Sequence, residues 1–406
     1  MILLRKKMKT FYNAEKISEN VYWVGAVDWH VREFHGYRTQ RGTTYNAFLV
    51  IDDKITLIDT VKKEFAGEML RRISTVIDPE KIDYIVSNHS EPDHSGALPE
   101  TIAAVKPEKI FASSFGAKTL EAYYGIQAEA VPNGSSITLG KGNLTFVETR
   151  MLHWPDSMVS FYDRDGILFS QDAFGMHLAG SKLWADEYPA DILDYEARKY
   201  FCNIINVQSG KVLALLESLP ALNLPIKLVA PDHGPLIRKD FDKMLELYRD
   251  CAVQPPKNKA VVIYATMWHT TEMLARAFAD GVRSTGMEVK LIDLAVSERS
   301  EVMTEVAMSG LVAFGAPTMN NNMFPAMMDI LTYVRGLKPL NKTGFAFGSC
   351  GWSGEGAKQI AEQLNLMKFD QPLPFIQVKY KATEAELKAI FDAGVQLAEM
   401  VVEKTK

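Results

Sequence analysis

Two histidines and two carboxylates lie close together in the segment NHSEPDHSG, residues 88–96. His89, Glu91, Asp93 and His94 directly follow the apolar run KIDYIVS, whose pattern predicts a strand. Imidazole and carboxylate groups in combination are ligands that zinc, iron and manganese accept. The segment is therefore a candidate metal site just past the end of a strand.

Three more potential ligands follow three other predicted strands. His153 comes after LTFVETR, Asp172 after GILFSQ, and His233, within PDHG, after IKLVA. Strand ends that meet at one edge of a layered fold would bring these side chains together. The resulting four histidines and three carboxylates are too many for one tetrahedral ion, and they suit two ions that share a bridging ligand. The alternative is a set of unrelated polar residues in loops, and the number of strand ends involved argues against it.

The remaining histidines are weaker candidates. We expect His30, His177 and His269 to be structural or to lie at the surface. His35, in FHGY, either packs in the interior or lines the pocket of the metal site, and the sequence leaves both alternatives open. Tyr200 is a second candidate pocket residue.

The composition excludes several classes of protein. The chain has 406 residues, 47% of them apolar, and a formal net charge of −5, which argues against a general nucleic-acid binder. No apolar run is long enough to span a membrane. The start, MILLRKKMKT, lacks the order of a secretory signal, and Met8 is an alternative to Met1 as the first residue. The three cysteines form no CxxC pair, so we expect a cytoplasmic protein without a four-cysteine iron centre.

The clearest joint in the chain is VQPPKNK, residues 253–259, where two prolines end a predicted helix. We predict one domain over residues 1–253 and a second over residues 258–406. In the second, five apolar strands alternate with helices, which indicates a doubly wound parallel sheet. In the first, TTYNAFLVIDDKITLIDT and ITLGKGNLTFVETR read as hairpins with helices between them, which indicates a layered α+β domain.

Three loops follow strands of the second domain at the edge where a doubly wound sheet binds its ligand. TMWHTT supplies hydroxyl groups at the start of a helix, where a phosphate is stabilised. PTMNNNMFP supplies amides for the edge of a flavin ring, and GSCGWSGEG lets the backbone approach that ring. The candidate cofactor-binding residues are Thr266, Met267, Trp268, His269, Thr270, Thr271, Pro317, Thr318, Met319, Asn320, Asn321, Asn322, Ser349, Cys350, Gly351, Trp352, Ser353 and Gly354.

These motifs carry a family resemblance. HxExDH, LHWPDS, QDAFG and PDHG resemble the metallo-β-lactamase fold, an αββα sandwich whose members usually have HxHxDH and two zinc ions. Glu91 stands where the second histidine would be, and a carboxylate is the harder ligand, which favours iron. With the flavodoxin-like second half, the chain resembles the flavodiiron proteins over nearly its whole length. Trp268 and His269 depart from the usual flavodoxin phosphate loop.

The resemblance implies a role for each ligand. One iron would be held by His89, Glu91 and His153, the other by Asp93, His94 and His233, with Asp172 as the bridge. His94 is the least secure, because the family does not always use it. The resemblance also implies that FMN passes electrons to a non-haem diiron centre, which reduces O₂ to water or NO to N₂O.

Partners and rival functions follow from the same comparison. Without a rubredoxin module, the chain needs an external donor, either a rubredoxin-like protein or a reduced deazaflavin. We expect a head-to-tail homodimer or a pair of such dimers, because FMN and irons must lie close for electron transfer. A dizinc hydrolase with a regulatory flavodoxin-like half and a non-enzymatic electron carrier are the rivals, and Glu91 and the flavin loops argue against the first. The second is disfavoured because structural zinc sites usually use thiolates.

Overall fold

A computed structural model describes residues 11–406 of the chain. The expectations about the leader segment and about Met8 as the start lie outside this range. The chain forms two compact units. The first contains the described residues up to Arg32, residues 39–200 and residues 210–248, and the second contains residues 33–38, 201–209 and 249–406. The predicted domain ranges, 1–253 and 258–406, stay a prediction.

Between residues 11 and 253 the chain contains many short strands with helices interspersed among them. The strands are β1 Glu15–Lys16, β2 Val21–Trp23, β3 Ala26–Asp28, β4 Glu33–Phe34, β5 Tyr37–Arg38, β6 Thr43–Tyr45, β7 Phe48–Val50, β8 Thr56–Ile58, β9 Tyr84–Ser87, β10 Lys109–Ala112, β11 Glu129–Ala130, β12 Ser136–Thr138, β13 Asn143–Glu148, β14 Met158–Tyr162, β15 Ile167–Gln171 and β16 Leu228–Pro231. The helices are α1 Ala66–Ser74, α2 Pro92–Ser95, α3 Leu98–Val105, α4 Ser114–Tyr124, α5 Ala190–Tyr200, α6 Ser209–Ser218 and α7 Phe241–Val253.

Two sheets form the body of the first unit. One has the strand order β1-β2-β7-β8-β9-β10-β11, and the other has the order β12-β13-β14-β15-β16. Both predicted hairpins are present, as the antiparallel pairs β7–β8 and β12–β13. The hydrophobic core lies between the sheets, where Phe48 and Phe169 from opposite sheets approach to 5.2 Å between ring centroids. This arrangement confirms the predicted metallo-β-lactamase-like sandwich.

The second unit is a doubly wound sheet. Its strands are β17 Lys259–Tyr264, β18 Glu288–Asp293, β19 Leu311–Met319, β20 Asn322–Met323, β21 Thr343–Cys350 and β22 Ile376–Lys379. Its helices are α8 Thr270–Ser284, α9 Arg299–Ala307, α10 Pro325–Leu337, α11 Glu355–Leu366 and α12 Glu384–Lys404. The parallel order β18-β17-β19-β21-β22 is that of flavodoxins, as predicted. Helices cover both faces of the sheet, because each face has its own buried apolar cluster.

Local sequence signals explain how these elements begin and end. The apolar residues Ala66, Met69 and Ile73 of α1 recur on one face and are buried. Thr383 and Glu386 form a capping box at the start of α12. Gly125, with φ 69°, ends α4 in the left-handed conformation that glycine adopts without strain. Over the described residues, no helix is long and apolar enough to span a membrane.

One lysine of the second unit is buried. Lys342 is 3% exposed, and its Nζ donates a hydrogen bond to the backbone oxygen of Ala307 over 2.7 Å. Burial lowers the pKa of Lys342 to about 7, because the apolar surroundings disfavour the ammonium form. The unfolded chain has no such burial, so the pKa of this amine rises on unfolding to about 10.4.

This difference predicts how stability depends on pH. Between about pH 7 and pH 10.5 the unfolded state binds more protons, so the free energy of unfolding should rise with pH across this window. Lys342→Met should flatten that rise. The gain in free energy of unfolding of the variant over the parent should be largest near pH 7, where it reaches up to a few kcal/mol. Urea unfolding at several pH values measures the effect, with the exposed Lys358→Met as the matched control. Equal pH slopes for the parent and Lys342→Met would contradict the prediction.

Candidate functional site

The ligand-type residues of NHSEPDHSG are positioned by a strand end and one helical turn. His89 lies two residues beyond β9, and Pro92 begins the short helix α2. The backbone N–H groups of His94 and Ser95 both donate to the backbone oxygen of Glu91 over 2.9 Å, which closes the turn. Proline suits the first helical position, because its ring presets the helical φ and the missing N–H is not needed there. The turn places Glu91, Asp93 and His94 around the end of β9.

The first group of ligand-type side chains contains His89, Glu91, His153 and Asp172, with their ligand atoms all within 4.8 Å of one another. Nε2 of His89 lies 3.3 Å from Glu91 Oε2 and 3.3 Å from Asp172 Oδ2. Nε2 of His153 lies 3.1 Å and 3.2 Å from the same two oxygens. Ligand atoms at about 2.1 Å from one ion would be about 3 Å apart, so this group fits a metal ion.

The second group contains Asp93, His94 and His233. Nε2 of His94 and Nε2 of His233 lie 3.3 Å and 3.1 Å from Asp93 Oδ2. The same nitrogens lie 3.3 Å and 3.6 Å from Asp172 Oδ1. Asp172 therefore turns one carboxylate oxygen towards each group, which is the geometry of a bridging ligand.

Unsatisfied buried atoms indicate that these groups are built around cations. Within residues 11–406, Asp93 Oδ1, Asp172 Oδ1 and both ring nitrogens of His94 are buried without a hydrogen bond of acceptable geometry. Buried polar atoms in folded proteins nearly always have a partner. Oxygen and imidazole nitrogen atoms are a donor set that iron accepts, so the residues fit the metal ions that the sequence predicts.

The electrostatics keep the carboxylates in the form that binds metals. Burial would raise the pKa of Glu91, but hydrogen bonds from His153 and His89 outweigh it and leave this pKa far below its usual value. Burial acts in the same direction on Asp172, where His94 and His153 outweigh it and lower the pKa well below the usual range. A metal ligand must be deprotonated, and both carboxylates are in that form.

A further set of residues orients the histidines, and the sequence prediction did not include it. His89 Nδ1 lies 3.3 Å from Asp156 Oδ2, and His233 Nδ1 lies 2.6 Å from the backbone oxygen of Thr44. An acceptor at Nδ1 fixes the tautomer that leaves Nε2 for the metal. Asp156 lies in the quoted LHWPDS motif, three residues after His153, so the motif itself carried the signal.

The weaker histidine candidates occupy different places. His177 belongs to neither ligand group, but it is buried with its ring 4.7 Å from that of His233, and Thr43 Oγ1 is 2.8 Å from its Nδ1. His30 is exposed in the first unit, and His269 is exposed at the start of α8. His35 lies in the β4–β5 segment, which belongs to the second unit, so its role as a pocket residue stays a prediction.

Aromatic side chains surround the ligand groups. The Tyr200 ring lies 6.1 Å from that of His233, and the Trp154 ring lies 5.3 Å from that of His89. Tyr200 is 2% exposed, and its burial raises the pKa of its hydroxyl well above the usual value. Phe174 is also buried, and its backbone N–H donates to the hydroxyl of Tyr248. Water therefore has little access from these sides, and His153, with its side chain 18% exposed, marks the most open side.

Backbone conformation near the ligands was not foreseeable from residue types. Met151 and Gln171 have φ values of 69° and 48°, and they lie two residues and one residue before His153 and Asp172. Residues other than glycine rarely adopt this left-handed region, which costs on the order of 1–3 kcal/mol. These positions redirect the chain where strands give way to ligands.

The second unit contains a cavity of about 290 Å³ at the ends of its strands. Loops after four of the parallel strands form the walls, and the lining residues are Met267, Trp268, Thr270, Pro317, Thr318, Asn320, Asn321, Ser349, Cys350, Gly351, Trp352, Ser353 and Tyr380. Trp268 and Trp352 are each 87% exposed, which leaves two aromatic faces available to a planar ring. The cavity is at the position where this topology binds FMN.

The polar atoms near this cavity also fit a flavin phosphate. Thr266 Oγ1 is buried and lacks a hydrogen-bond partner among the described residues. It precedes α8, whose first N–H groups and positive dipole end suit an anion. Thr271 Oγ1 is instead 2.8 Å from Ser349 Oγ. The residues present therefore fit the predicted cofactor.

Some predicted cofactor residues lie beside the cavity rather than in its wall. These are Thr266, His269, Thr271, Met319, Asn322 and Gly354. Conversely, Tyr380 lines the cavity and was not predicted. It follows β22 at the same sheet edge as the other loops, so the strand-end rule would have found it. Whether each residue contacts the cofactor stays a prediction.

Comparison with known proteins agrees with both sites. The family described as ODP family beta lactamase matches residues 43–234, and the flavodoxin family matches residues 262–394. The chain is 44% identical to the rubredoxin-oxygen oxidoreductase of Megalodesulfovibrio gigas, over 93% of this chain and 95% of that protein. It is 39% identical to the nitric oxide reductase of Moorella thermoacetica, over 95% and 98% of the two chains.

A solved structure extends the comparison to the fold. The flavodiiron protein from Giardia intestinalis superposes with a TM-score of 0.93 at 34% identity, over 98% of this chain and 99% of that chain. Sequence identities of 34–44% to these three proteins extend over both units in the same order, and they exceed what a shared fold alone would require. With its His, Asp and Glu metal groups and its flavodoxin-like unit, this chain belongs to the flavodiiron family, whose cofactors are FMN and a non-haem diiron centre.

Proposed function

We propose that this chain is an oxidoreductase in which electrons pass from FMN to a diiron centre that reduces O₂ to water, NO to N₂O, or both. The observation that carries the proposal is Asp172, whose two carboxylate oxygens face two separate groups of ligand-type side chains. A site of this kind suits two ions acting together on one small molecule. The names of the two relatives, an oxygen and a nitric oxide reductase, support both gases as substrates.

The proposed ligand sets follow the two groups. His89, Glu91 and His153 would hold one iron, and Asp93, His94 and His233 the other, with Asp172 bridging them. Iron ions held in this way would supply electrons to a diatomic gas, and FMN would resupply those electrons. The side chains of Tyr200 and Trp154 would keep water from the reacting gas, and the orienting acceptors at His89 and His233 would hold each imidazole in place.

The electrons come from an external donor, and we propose a rubredoxin-like protein or a reduced deazaflavin. We also place the chain in the cytoplasm. Cys202, Cys251 and Cys350 form no disulfide in the described part of the chain, which fits a reducing compartment.

We further propose a head-to-tail homodimer, or a pair of such dimers. The two candidate cofactor sites belong to different units of the chain. Electron transfer slows steeply with distance, so FMN and the irons must lie close together during turnover. A two-fold arrangement would set the flavin unit of one subunit against the metal unit of its partner.

Metal and flavin analysis tests the proposed function directly. The purified protein should contain about two iron ions and about one FMN per chain, and it should consume O₂ or NO once reduced. His89→Ala should lose iron and gas consumption, while FMN content stays unchanged because His89 lies in the other unit. Iron quantification, the visible spectrum and steady-state rates with each gas give the result. Two zinc ions with hydrolytic activity and no gas reduction would favour the hydrolase instead.

The identity of residue 91 should set the metal preference. Glu91→His replaces a hard carboxylate by a softer neutral ligand, so the variant produced in mixed metals should contain several-fold less iron and more zinc. Elemental analysis of the purified variant measures the change. The control is Glu100→His, which adds a histidine on the exposed side of α3. Full iron content and full O₂ reduction in Glu91→His would disprove the role of this carboxylate.

Mixed dimers test the head-to-tail arrangement. One subunit carries His89→Ala with Asp172→Ala and lacks metal, and the other carries Thr266→Val with Thr271→Val and lacks flavin. Each variant alone should be inactive. A heterodimer purified through two different tags should recover about half of the parental activity, because one flavin still faces one intact diiron centre. Heterodimers that form yet stay inactive would show that electrons move within one chain.

A further inference from the structure

A buried carboxylate next to the second ligand group has no evident role in binding metal. Asp232 is 0% exposed and precedes His233 in the loop after β16. Its backbone N–H donates to the backbone oxygen of Gln171 over 2.9 Å, and its backbone oxygen accepts from the backbone N–H of Asn46 over 2.7 Å. The backbone of Asp232 is thus fixed on two sides. Neither of its carboxylate oxygens has a hydrogen-bond partner within the described residues, which is costly for a buried carboxylate.

The side chain that faces Asp232 is His94. Nδ1 of His94 lies 3.6 Å from Asp232 Oδ2 and, within residues 11–406, makes no hydrogen bond. Asp59 is also buried in this region, but its two oxygens already accept from the backbone and side-chain nitrogens of Asn88 over 2.6 Å and 2.8 Å. Asp232 is therefore the carboxylate left to accept from His94.

His89 and His233, whose Nδ1 atoms each face an acceptor, show what Asp232 would do for His94. Nδ1 of His89 faces Asp156, and Nδ1 of His233 faces the backbone oxygen of Thr44. Each acceptor favours a proton on Nδ1, which leaves Nε2 as the ligand atom. Nε2 of His94 faces Asp93 Oδ2 and Asp172 Oδ1, both at 3.3 Å, so it has the same need for a proton on Nδ1.

We propose that Asp232 is the positioning residue for His94, accepting a hydrogen bond from its Nδ1 and thereby holding Nε2 on the second metal ion. This inference rests on the proposed assignment of His94 as a ligand. Asp232 then determines how tightly the second ion is bound, without touching that ion itself. Loss of this acceptor would let the His94 ring turn away and leave the second ion with fewer protein ligands.

Metal binding without turnover tests the inference. The metal-free full-length protein, with FMN bound, is titrated with Co²⁺, and the visible absorption of the bound ion gives the affinity of each site. Asp232→Leu should weaken the second binding step by about 10- to 100-fold, which is typical of a lost partner to a ligating histidine. Asp232→Asn keeps an oxygen that can accept from Nδ1, so it should weaken that step less. Asp156→Asn is the matched control, and it should weaken the step that depends on His89 instead.

A double-mutant cycle shows whether Asp232 acts through His94. In the His94→Ala background, Asp232→Asn and Asp232→Leu should cause no further loss of Co²⁺ affinity. An equal loss in both backgrounds would overturn the proposal, and so would unchanged binding in both Asp232 variants. Asp232→Asn is nearly isosteric, so it decides the question if Asp232→Leu does not fold.

The cycle also separates this proposal from the proposed function. If His94→Ala leaves the second step unchanged, His94 is not a ligand, and both that assignment and the role of Asp232 fall. If His94→Ala weakens the second step but the Asp232 variants do not, only the role of Asp232 is rejected. Loss of the first binding step in His89→Ala and of the second step in His94→Ala would support the two-ion site as a whole.

Discussion

The bridging position of Asp172 is the interaction on which the metal site depends. This carboxylate is 2% exposed, and its two oxygens face imidazole nitrogens from both ligand groups. A charge removed from water costs several kcal/mol unless it is paired. Metal ions between these groups would offset that cost, since they supply the positive charge that the buried oxygens lack.

The two sheets of the first unit make this arrangement possible. His89 follows a strand of one sheet, whereas His153, Asp172 and His233 follow strands of the other. The ligands therefore come together only when both sheets have packed, and neither sheet alone contains the site. The apolar layer between the sheets, including the pair Phe48 and Phe169, thus also supports the metal site.

Residue types and strand ends were enough to predict the fold class and to name the residues that gather in the two metal groups. The alternation of apolar residues in strands and the HxExDH spacing are local signals, which can be read from neighbouring residues without knowledge of tertiary contacts. The orienting acceptors are different. Asp156 and Asp232 lie within the quoted motifs LHWPDS and PDHG, but only the folded chain shows which histidine each of them faces. Thr44 acts through its backbone oxygen, which no residue type marks. The buried position of His177 agrees with the structural alternative expected for it, but its residue type did not show that it packs against His233. Tyr380, in contrast, obeyed a rule already in use and was missed because only three of the strand-end loops were considered.

The β4–β5 segment has a consequence for how the chain folds during synthesis. Residues 33–38 belong to the second unit, where the Arg38 backbone N–H donates to Ser300 Oγ over 3.1 Å and its side chain pairs with Glu298 over 3.0 Å. On the ribosome this hairpin emerges long before its partners at the start of α9 are made, so it has nothing to dock against while the first unit folds. The second unit therefore cannot be finished in the order of translation. The hairpin has to stay undocked until the start of α9 has left the exit tunnel, and the sequence separation adds to the contact order that slows folding.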